Sequence, residues 1–470
     1  MIENSIIYSF LSKTGAGLLN LIQNSAAAGF FLSPNENIAE TRSSVFFKIY
    51  RLIRLILWRI FRALKINRIL EGSIFKMVFL WATFAVVLAP VAPTMVIILF
   101  AMAGFGSLVL HILCSAKAEF KYYPINKYIY AFAGIYLVSV FTSVDIKGSL
   151  YGGMLTVLFI MFYVVVVNAV KKKIQFKALI FMMVSVGILV SFYGFYQYMN
   201  QSKFGGVWVD TEMFESLSFR VYSTLGNPNV LGEYFLLLIP TAAAGIFVSK
   251  SNPLRLFYFF ASAVMMICLI LTYSRGCYIG IIVSAGVFLV LLDRRFILLG
   301  LAGLMIMPFV LPESIINRFM SIGNMEDSST SYRFYIYMGT INMLKDYWLS
   351  GIGPGQSAFN KVYPYYGYNG ISAPHSHNTF LQVMCDTGIA GIIVFVAVIY
   401  QFYKQLFRSY LAVKDKTAKI LVISFMSSIS GFLVQSLFDY TFYNYRVMIF
   451  FWIYIALGVV ATGYASLKED

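Results

Sequence analysis

The sequence predicts an all-α integral membrane protein with about 12 transmembrane helices. Of its 470 residues 60% are hydrophobic and only 12% are charged. From Ile74 onward, apolar runs recur with a length of about 20 residues, which is what a helix needs to cross a bilayer. These runs are continuous and lack the two-residue alternation of an outer-membrane barrel strand, so helices are the expected spanning elements.

Hydropathy along the chain places the individual spans and the loops between them. The predicted spans cover residues 74–92, 94–114, 128–143, 150–170, 178–199, 229–249, 256–273, 276–292, 296–312, 378–403, 420–438 and 447–466. The longest connection follows span 9 and covers residues 313–377, too long for a simple connector.

The net charge of +16 is explained by topology. With the N-terminus placed inside, most of the 36 lysines and arginines fall on inner segments, such as Lys171–Lys173 and Arg294–Arg295. This distribution follows the positive-inside rule. We therefore expect both termini to be cytoplasmic, the loop after span 9 to be extracytoplasmic, and the basic excess to contact membrane lipids and not nucleic acid.

The predicted organisation has four parts. They are a cytoplasmic N-terminal region (1–73), spans 1–9 (74–312), the large extracytoplasmic loop (313–377), and spans 10–12 with a cytoplasmic tail (378–470). In the first part, basic residues between Phe46 and Leu70 recur at helical spacing on an apolar background. This pattern predicts an amphipathic helix suited to the anionic inner leaflet. A basic flank that only sets the topology is an equal alternative.

Three arginines and one histidine are expected at the outer face: Arg220, Arg275, Arg333 and His377. Arg275 lies between two apolar spans, where a charge usually faces a cavity and has an anionic partner. The alternative is an arginine that extends to the lipid headgroups. A guanidinium group favours phosphate or carboxylate, so an anionic group on a membrane-embedded substrate is the expected ligand.

His377 precedes Asn378 where the chain re-enters the membrane, and a neutral imidazole there could act as a general base. A capping or interfacial histidine is the alternative. Glu233, Asp386 and Asp439, at outer ends of spans, could pair with the arginines or fix the tautomer of the histidine, or simply balance a neighbouring charge. The sequence has no Walker A loop, paired-cysteine zinc pattern or Asp-x-Asp motif, so no metal or cofactor is predicted.

Four motifs in order resemble the O-antigen ligase and polymerase superfamily of bacterial membrane enzymes. His377-Asn378, nine residues and Gly388-Ile-Ala-Gly391 resemble its His-Asn-x9-Gly-x-x-Gly signature. The others are Arg220-x4-Leu-Gly-Asn-Pro-Asn, Tyr273-Ser-Arg-Gly, and Gly351-Ile-Gly-Pro-Gly, which by itself predicts only a turn. The departures are Arg275-Gly-Cys-Tyr-Ile, where ligases often have Arg-x3-Leu, and the basic N-terminal region.

The resemblance implies a GT-C-like, metal-independent glycosyltransferase without cofactors. It would move a glycan from an undecaprenyl-diphosphate-linked donor to a glycan, lipid or protein acceptor at the outer face of the cytoplasmic membrane. Arg220, Arg275 and, most loosely, Arg333 would bind the diphosphate, and His377 would deprotonate the acceptor hydroxyl. Supporting positions are Asn227, Glu233, Asn378 and Asp439.

Polymerisation of repeat units, ligation to lipid A core or another envelope acceptor, and protein glycosylation all fit the sequence. The rival from another class is a transporter, such as a lipid-linked oligosaccharide flippase. No acidic residue is expected near the middle of the membrane, which argues against an ion-coupled carrier.

Overall fold

The computed structural model describes residues 45–63, 73–114, 120–204, 219–293, 295–310, 312–324 and 327–469. Within these ranges the secondary structure is helical, with loops and one isolated β-bridge, so the predicted all-α class is confirmed. Helix α1 (Val45–Ala63) covers most of the basic segment predicted to begin at Phe46. The remainder of that segment lies outside the described residues.

Fifteen further helices of more than one turn follow within the described ranges. They are α2 (Ser73–Leu88), α3 (Thr94–Cys114), α4 (Asn126–Phe141), α5 (Ile146–Ala169), α6 (Lys173–Met199), α7 (Pro228–Val248), α8 (Asn252–Ile270), α9 (Arg275–Leu292), α10 (Phe296–Val310), α11 (Glu313–Met320), α12 (Ser328–Tyr347), α13 (Gln356–Val362), α14 (Thr379–Ala412), α15 (Lys416–Gln435) and α16 (Tyr445–Thr462).

Nine of the described helices, α3, α5 to α9 and α14 to α16, are long and apolar enough to cross a membrane. The chain is thus a multi-pass membrane protein. Each segment predicted to span the membrane overlaps one helix. Helices α2, α4 and α10 have only 16, 16 and 15 residues, and they are not among the nine.

Helix α16 lies at the centre of the bundle. Every residue from Val447 to Ala461 is buried, and the helix packs against α5, α14 and α15. A helix that is apolar on all sides can be buried on all sides. The neighbouring helix α15 also packs against α7 and α9, so these five helices and α16 form one connected core.

The chain between α10 and α14 folds onto one end of the bundle, and we call residues 312–324 and 327–378 the loop unit. It has a hydrophobic core of its own, in which Ile336, Phe359 and Tyr363 are fully buried. Cys385 of α14 belongs to the same core. The loop unit is therefore packed directly on a helix of the bundle.

A break in α14 receives the glycine-rich loop that begins at Gly351. At Gly388 the backbone has φ 67° and ψ −166°, which interrupts the helix. The N–H of Ile352 donates to the carbonyl of Cys385 (2.7 Å), and the N–H of Ile389 donates to the carbonyl of Trp348 (2.8 Å). A Cβ atom on Gly388 would lie 2.1 Å from the carbonyl oxygen of Leu349, so only glycine fits here.

The other side of the same loop contacts the turn between α4 and α5. The carbonyl of Ile352 accepts hydrogen bonds from the N–H of Val144 (3.0 Å) and the hydroxyl of Ser143 (3.1 Å). Lys361 of α13 forms an ion pair with Asp145 at 2.9 Å. The glycine-rich loop thus connects two parts of the bundle and fixes the loop unit above them.

Replacing Gly388 by alanine should destabilise the protein strongly, because the added Cβ overlaps backbone and the residue must keep a positive φ. Gly370→Ala is the matched control: its φ is 68° and open space surrounds it, so only the backbone cost of about 1–2 kcal/mol applies. Melting of the two purified variants in detergent tests this. Equal melting temperatures of the two variants would contradict the close packing of the glycine-rich loop at Gly388.

Candidate functional site

Two neighbouring cavities lie between the loop unit and the bundle. The larger has a volume of about 1130 Å³ and is lined by residues of α5, α12, α14 and the chain before α7 and α16. The smaller, of about 300 Å³, is lined by residues of α9, α12 and the end of α15. Residues that line both cavities are Arg220, Asn229, Arg318, Ser329 and Arg333.

Several helices begin at these cavities. Gly148 of α5, Asn229 of α7 and Tyr445 of α16 are first-turn residues that line the larger cavity, and Arg275 at the start of α9 lines the smaller one. A helix N-terminus carries a partial positive charge and unpaired N–H groups. The common position of these helix ends adds to the positive potential of the arginines and favours an anionic ligand.

His377 lies in the wall of the larger cavity with its Nδ1 atom 3.1 Å from Oδ1 of Asp439. An ionised Asp439 accepts a hydrogen bond from the N–H at Nδ1, so Nε2 is the nitrogen that can take a proton from a ligand. Burial raises the pKa of Asp439, but the hydrogen bond and charge of His377 outweigh it, and Arg333 and His375 act in the same direction. The net result is a pKa well below the usual range, which keeps the carboxylate ionised.

Asp439 also connects the histidine to Arg220. The side-chain amide of Asn229 donates to Oδ2 of Asp439 (2.9 Å), and its oxygen accepts a hydrogen bond from Arg220 (3.0 Å). Arg220 in turn donates Nε–H to the carbonyl of Thr272 at 2.9 Å. A continuous hydrogen-bonded chain therefore joins the base candidate to one arginine of the cavity.

His375 supports the backbone of His377. Its Nδ1 atom lies 3.3 Å from the N–H of His377, and its ring stacks on Tyr443 with centroids 5.0 Å apart. Burial, together with the charges of His377 and Arg333, lowers the pKa of His375 to about 3. The ring is therefore neutral at physiological pH, and Nδ1 can accept the hydrogen bond.

The two asparagines predicted to support the site are helix caps. Asn227 accepts the N–H of Asn229 at the start of α7. Asn378 accepts the N–H groups of Phe380 and Leu381 at the start of α14 and donates to the carbonyl of Leu437. Both side chains satisfy first-turn donors, so they fix the helix ends from which Asn229 and His377 extend.

Arg275 is held by an acidic residue of the loop unit. It contacts Asp327 at 2.7 Å and Ser321 Oγ at 3.0 Å, and Arg318 lies 3.5 Å from the same carboxylate. Burial raises the pKa of Asp327, but the hydrogen bond from Arg275 and the charges of Arg275 and Arg318 outweigh this effect. The pKa of Asp327 is therefore lower than its usual value. Asp327 also caps α12 by accepting the N–H of Thr330. This ion pair thus joins α9 to α11 and α12.

Arg333 and Arg220 face the same space. The Nε atom of Arg333 is buried without a hydrogen-bond partner, while its Nη1 donates to Ser329 at 2.7 Å. Burial lowers the pKa of Arg220 to about 9, and the charges of Arg318 and Arg333 act in the same direction. The arginines therefore repel one another, and an anion bound between them would relieve that repulsion.

Glu233 is fully buried in α7 and contacts Gln435, whose Nε2 lies 3.2 Å from its Oε1. No described hydrogen bond or ion pair joins it to an arginine or to His377. It is not among the residues that line either cavity. Its predicted pairing with the arginines is thus not seen in the described contacts.

One group of described residues has the composition of a metal site. Ligand atoms of His375, His377 and Asp439 lie within 4.8 Å of one another. However, the Asp439 oxygens already accept hydrogen bonds from Asn229 and from the N–H of Tyr440, and Oδ1 pairs with His377. This network satisfies the three groups as hydrogen-bond partners.

Three functional candidates were missed by the sequence reasoning. Arg318 lines both cavities and belongs to the small set of basic residues expected outside, so charge asymmetry could have found it. Asn229 is the last residue of the Leu225–Asn229 motif. The motif indicated this segment but not that Asn229 joins Arg220 to Asp439. Asp327 gave no signal, because its partners are distant along the chain.

A comparison of the sequence with protein-family models gives a match to part of the chain. A family model described as O-antigen ligase matches residues 260–396. That segment includes Arg275, Arg318, Arg333 and His377, whereas Arg220 and Asp439 lie outside it. No curated protein matches the chain. The match supports a membrane glycan ligase or polymerase activity of glycosyltransferase type and confirms the predicted resemblance. Residues 260–396 are thus similar to the O-antigen ligase family, in agreement with the resemblance to the O-antigen ligase and polymerase superfamily that the motifs predict.

Proposed function

We propose that this protein transfers a glycan from an undecaprenyl-diphosphate-linked donor to the hydroxyl group of an acceptor. One observation carries the proposal: the His377–Asp439 pair and the arginines Arg220, Arg318 and Arg333 line a single cavity. A base beside an anion site is what direct displacement of a diphosphate leaving group requires.

The donor diphosphate would bind where the two cavities meet. Four arginines line the smaller cavity, and no acidic residue is among its described lining residues. Guanidinium groups bind phosphate oxygens through charge-assisted, often bidentate hydrogen bonds. Because Arg275 is paired with Asp327, we assign it a double role: it adds positive charge and holds Arg318 and the start of α12 in place.

The prenyl chain would leave through the smaller cavity. Phe334, Phe438 and Ile322 line it, and 46%, 40% and 36% of their respective surfaces are exposed. Exposed apolar side chains beside the arginines of the same cavity suit a lipid with a charged headgroup. The larger cavity would then hold the glycan and the acceptor.

The chemical step moves one proton and exchanges one bond. Nε2 of His377 takes the proton of the acceptor hydroxyl, whose oxygen attacks the anomeric carbon of the donor glycan. The bond between that carbon and the diphosphate oxygen breaks, and undecaprenyl diphosphate leaves with the electron pair. Asp439 stabilises the imidazolium ion, and the arginines stabilise the charge that develops on the leaving group.

We further propose that the site faces the outer side of the bacterial cytoplasmic membrane. Helices α2, α4 and α10 would complete 12 spans as proposed from the sequence, with both termini cytoplasmic. The division into a cytoplasmic region (1–73), two groups of spans and an outer loop (313–377) follows from this topology. The positive-inside distribution of lysine and arginine supports the orientation.

Transfer without a metal ion is part of the same proposal. Asp439 is already hydrogen-bonded to His377, Asn229 and the N–H of Tyr440, and the arginines supply the charge that a divalent cation would supply in other enzymes. A flippase would share a cationic cavity, but it would have no use for a histidine base oriented by a buried carboxylate.

The purified protein in detergent, given its lipid-diphosphate glycan and acceptor glycan in EDTA, should consume the donor and release undecaprenyl diphosphate. Chromatography of the lipid products measures this turnover. A chemically unchanged donor would indicate a flippase or carrier. Turnover that stops in EDTA and returns with a divalent ion would assign His375, His377 and Asp439 to a metal.

His377→Ala should lower kcat by about 100- to 10,000-fold, the usual contribution of a general base. Asp439→Asn should cause a loss of similar size, because an amide cannot hold the required tautomer or stabilise the imidazolium ion. His111→Ala is the control, since His111 lies in α3 and lines neither cavity. Near wild-type turnover by the His377 variant would exclude it as the base.

Arg318→Gln and Arg333→Gln should each weaken binding of undecaprenyl diphosphate by about 10- to 100-fold, the equivalent of one charge-assisted hydrogen bond. Lys345→Gln is the matched control, because Lys345 lies on α12 like Arg333, donates a hydrogen bond to Asn342 and is not among the residues that line either cavity. Binding can be measured by competition with a labelled lipid diphosphate. Unchanged affinity in both arginine variants would place the diphosphate elsewhere.

A further inference from the structure

The larger cavity has a second region that the arginines do not line. Its side chains are aromatic or hydrogen-bonding groups from three helices, from the turn before α16 and from the loop unit: Tyr151, Gln356, Gln382, Asp386, Tyr440 and Tyr445. We call these six residues the tyrosine region. None of them lines the smaller cavity, whereas Arg220, Arg318 and Arg333 line both. The larger cavity thus joins two chemically different surfaces.

Asp386 is the only acidic member of this region, and 2% of its surface is exposed. Its Oδ1 accepts a hydrogen bond from Gln382 (2.9 Å), and its Oδ2 lies 3.3 Å from the hydroxyl of Tyr136. Among the described residues no basic side chain forms an ion pair with it. A carboxyl group offers about four hydrogen-bonding positions. Two neutral partners therefore leave capacity for a ligand.

The same carboxyl group is connected to the segment that carries the base. Gln382 donates to Asp386 through Nε2 and accepts the N–H of Ser376 through Oε1 at 2.8 Å. Ser376 directly precedes His377. The position of Asp386 is therefore fixed relative to the catalytic imidazole, which is what the orientation of an attacking hydroxyl requires.

The side chains of the tyrosine region have the chemistry of a sugar site. The Tyr445 hydroxyl lies near Gly152, since a Cβ on Gly152 would be in ordinary van der Waals contact with it at 3.6 Å. Tyrosine rings offer flat apolar faces to the C–H groups of a pyranose, and their hydroxyls can bond to its polar edge. A fatty-acyl acceptor would be mismatched to a buried carboxyl group, and a phosphorylated acceptor would be repelled by it.

We propose that the tyrosine region binds the acceptor as a neutral sugar residue and directs one of its hydroxyl groups to His377. This inference rests on the proposed transfer reaction and makes it more specific, because it selects a glycan among the possible acceptors. Asp386 and Gln382 bind sugar hydroxyls, while Tyr151 and Tyr445 pack against the ring.

Binding of two probes to the full-length protein in detergent tests this assignment. One probe is undecaprenyl diphosphate, and the other is the neutral oligosaccharide released by mild acid from the surface glycan of the same strain. Asp386→Asn should weaken oligosaccharide binding at least tenfold and change lipid-diphosphate binding less than twofold. Arg318→Gln should do the reverse. Calorimetry can measure both affinities.

Tyr151→Ala provides a second variant that should fold normally, since 54% of the surface of Tyr151 is exposed. We expect it to weaken oligosaccharide binding by about three- to tenfold through loss of the ring contact. Asp346→Asn is the control, because Asp346 is an exposed carboxylate of the loop unit that lines neither cavity. It should leave both affinities unchanged.

The two proposals fail in different ways. If wild-type protein binds the oligosaccharide in an Asp386-dependent manner but never consumes the donor, glycan transfer is wrong and the sugar site stands. If the donor is consumed but the oligosaccharide does not bind, or binds equally well to the Asp386 and Tyr151 variants, the sugar site is overturned. Equal loss of both ligands in Asp386→Asn would also overturn it.

Discussion

The backbone contact between the Gly351 loop and the break at Gly388 determines where every other part of the site lies. His377 lies at the end of the loop unit, directly before α14, and Arg318 and Arg333 lie earlier in the same unit. Two hydrogen bonds between main-chain groups, at 2.7 and 2.8 Å, fix the position of the loop unit relative to α14.

The charge distribution of the site follows from that arrangement. Four arginines from different segments meet at the smaller cavity, and Asp327 neutralises part of their charge by contacting two of them. The remaining positive charge is costly in a partly buried position unless an anion enters. Helix N-termini at the same place add to the attraction. The arrangement thus holds the folded site together and leaves the positive charge that the proposed binding of a lipid diphosphate uses.

For identifiable physical reasons, the sequence predicted the helices and singled out four residues that line the cavities. Long apolar runs fix helices in a membrane regardless of their partners, and this is why each predicted span overlaps a helix. Arg220, Arg275 and Arg333 were singled out because few basic residues fall on the predicted outer side, and His377 because it precedes Asn378 where the chain re-enters the membrane. In the structure, His377 lines the larger cavity, Arg275 the smaller, and Arg220 and Arg333 both. All four therefore lie at the same place.

Other features depend on contacts between distant residues and could not be predicted in this way. The glycine-rich loop indicated a turn, but its insertion at Gly388 requires knowledge of how α14 packs. The carboxylate that pairs with Arg275 lies 52 positions later, and Asn229 reaches Asp439 across 210 positions. Such partners have no local pattern. Glu233 shows that a local pattern can also point to a contact that is not observed. Its position at the end of a predicted span suggested pairing with an arginine or His377, but its described hydrogen bond is to Gln435.

The conformation of His377 explains why so many groups surround it. Its φ of 49° is unfavourable for a residue with a side chain, so the surrounding contacts must maintain it. His375 contacts its N–H, the hydroxyl of Tyr337 lies 3.0 Å from its carbonyl, and Asp439 binds its ring. These contacts come from the end of the loop unit, from α12 and from the turn before α16. Because His377 belongs to the loop unit and Asp439 to the bundle, the contact between them depends on the packing of the loop unit against α14 at Gly388.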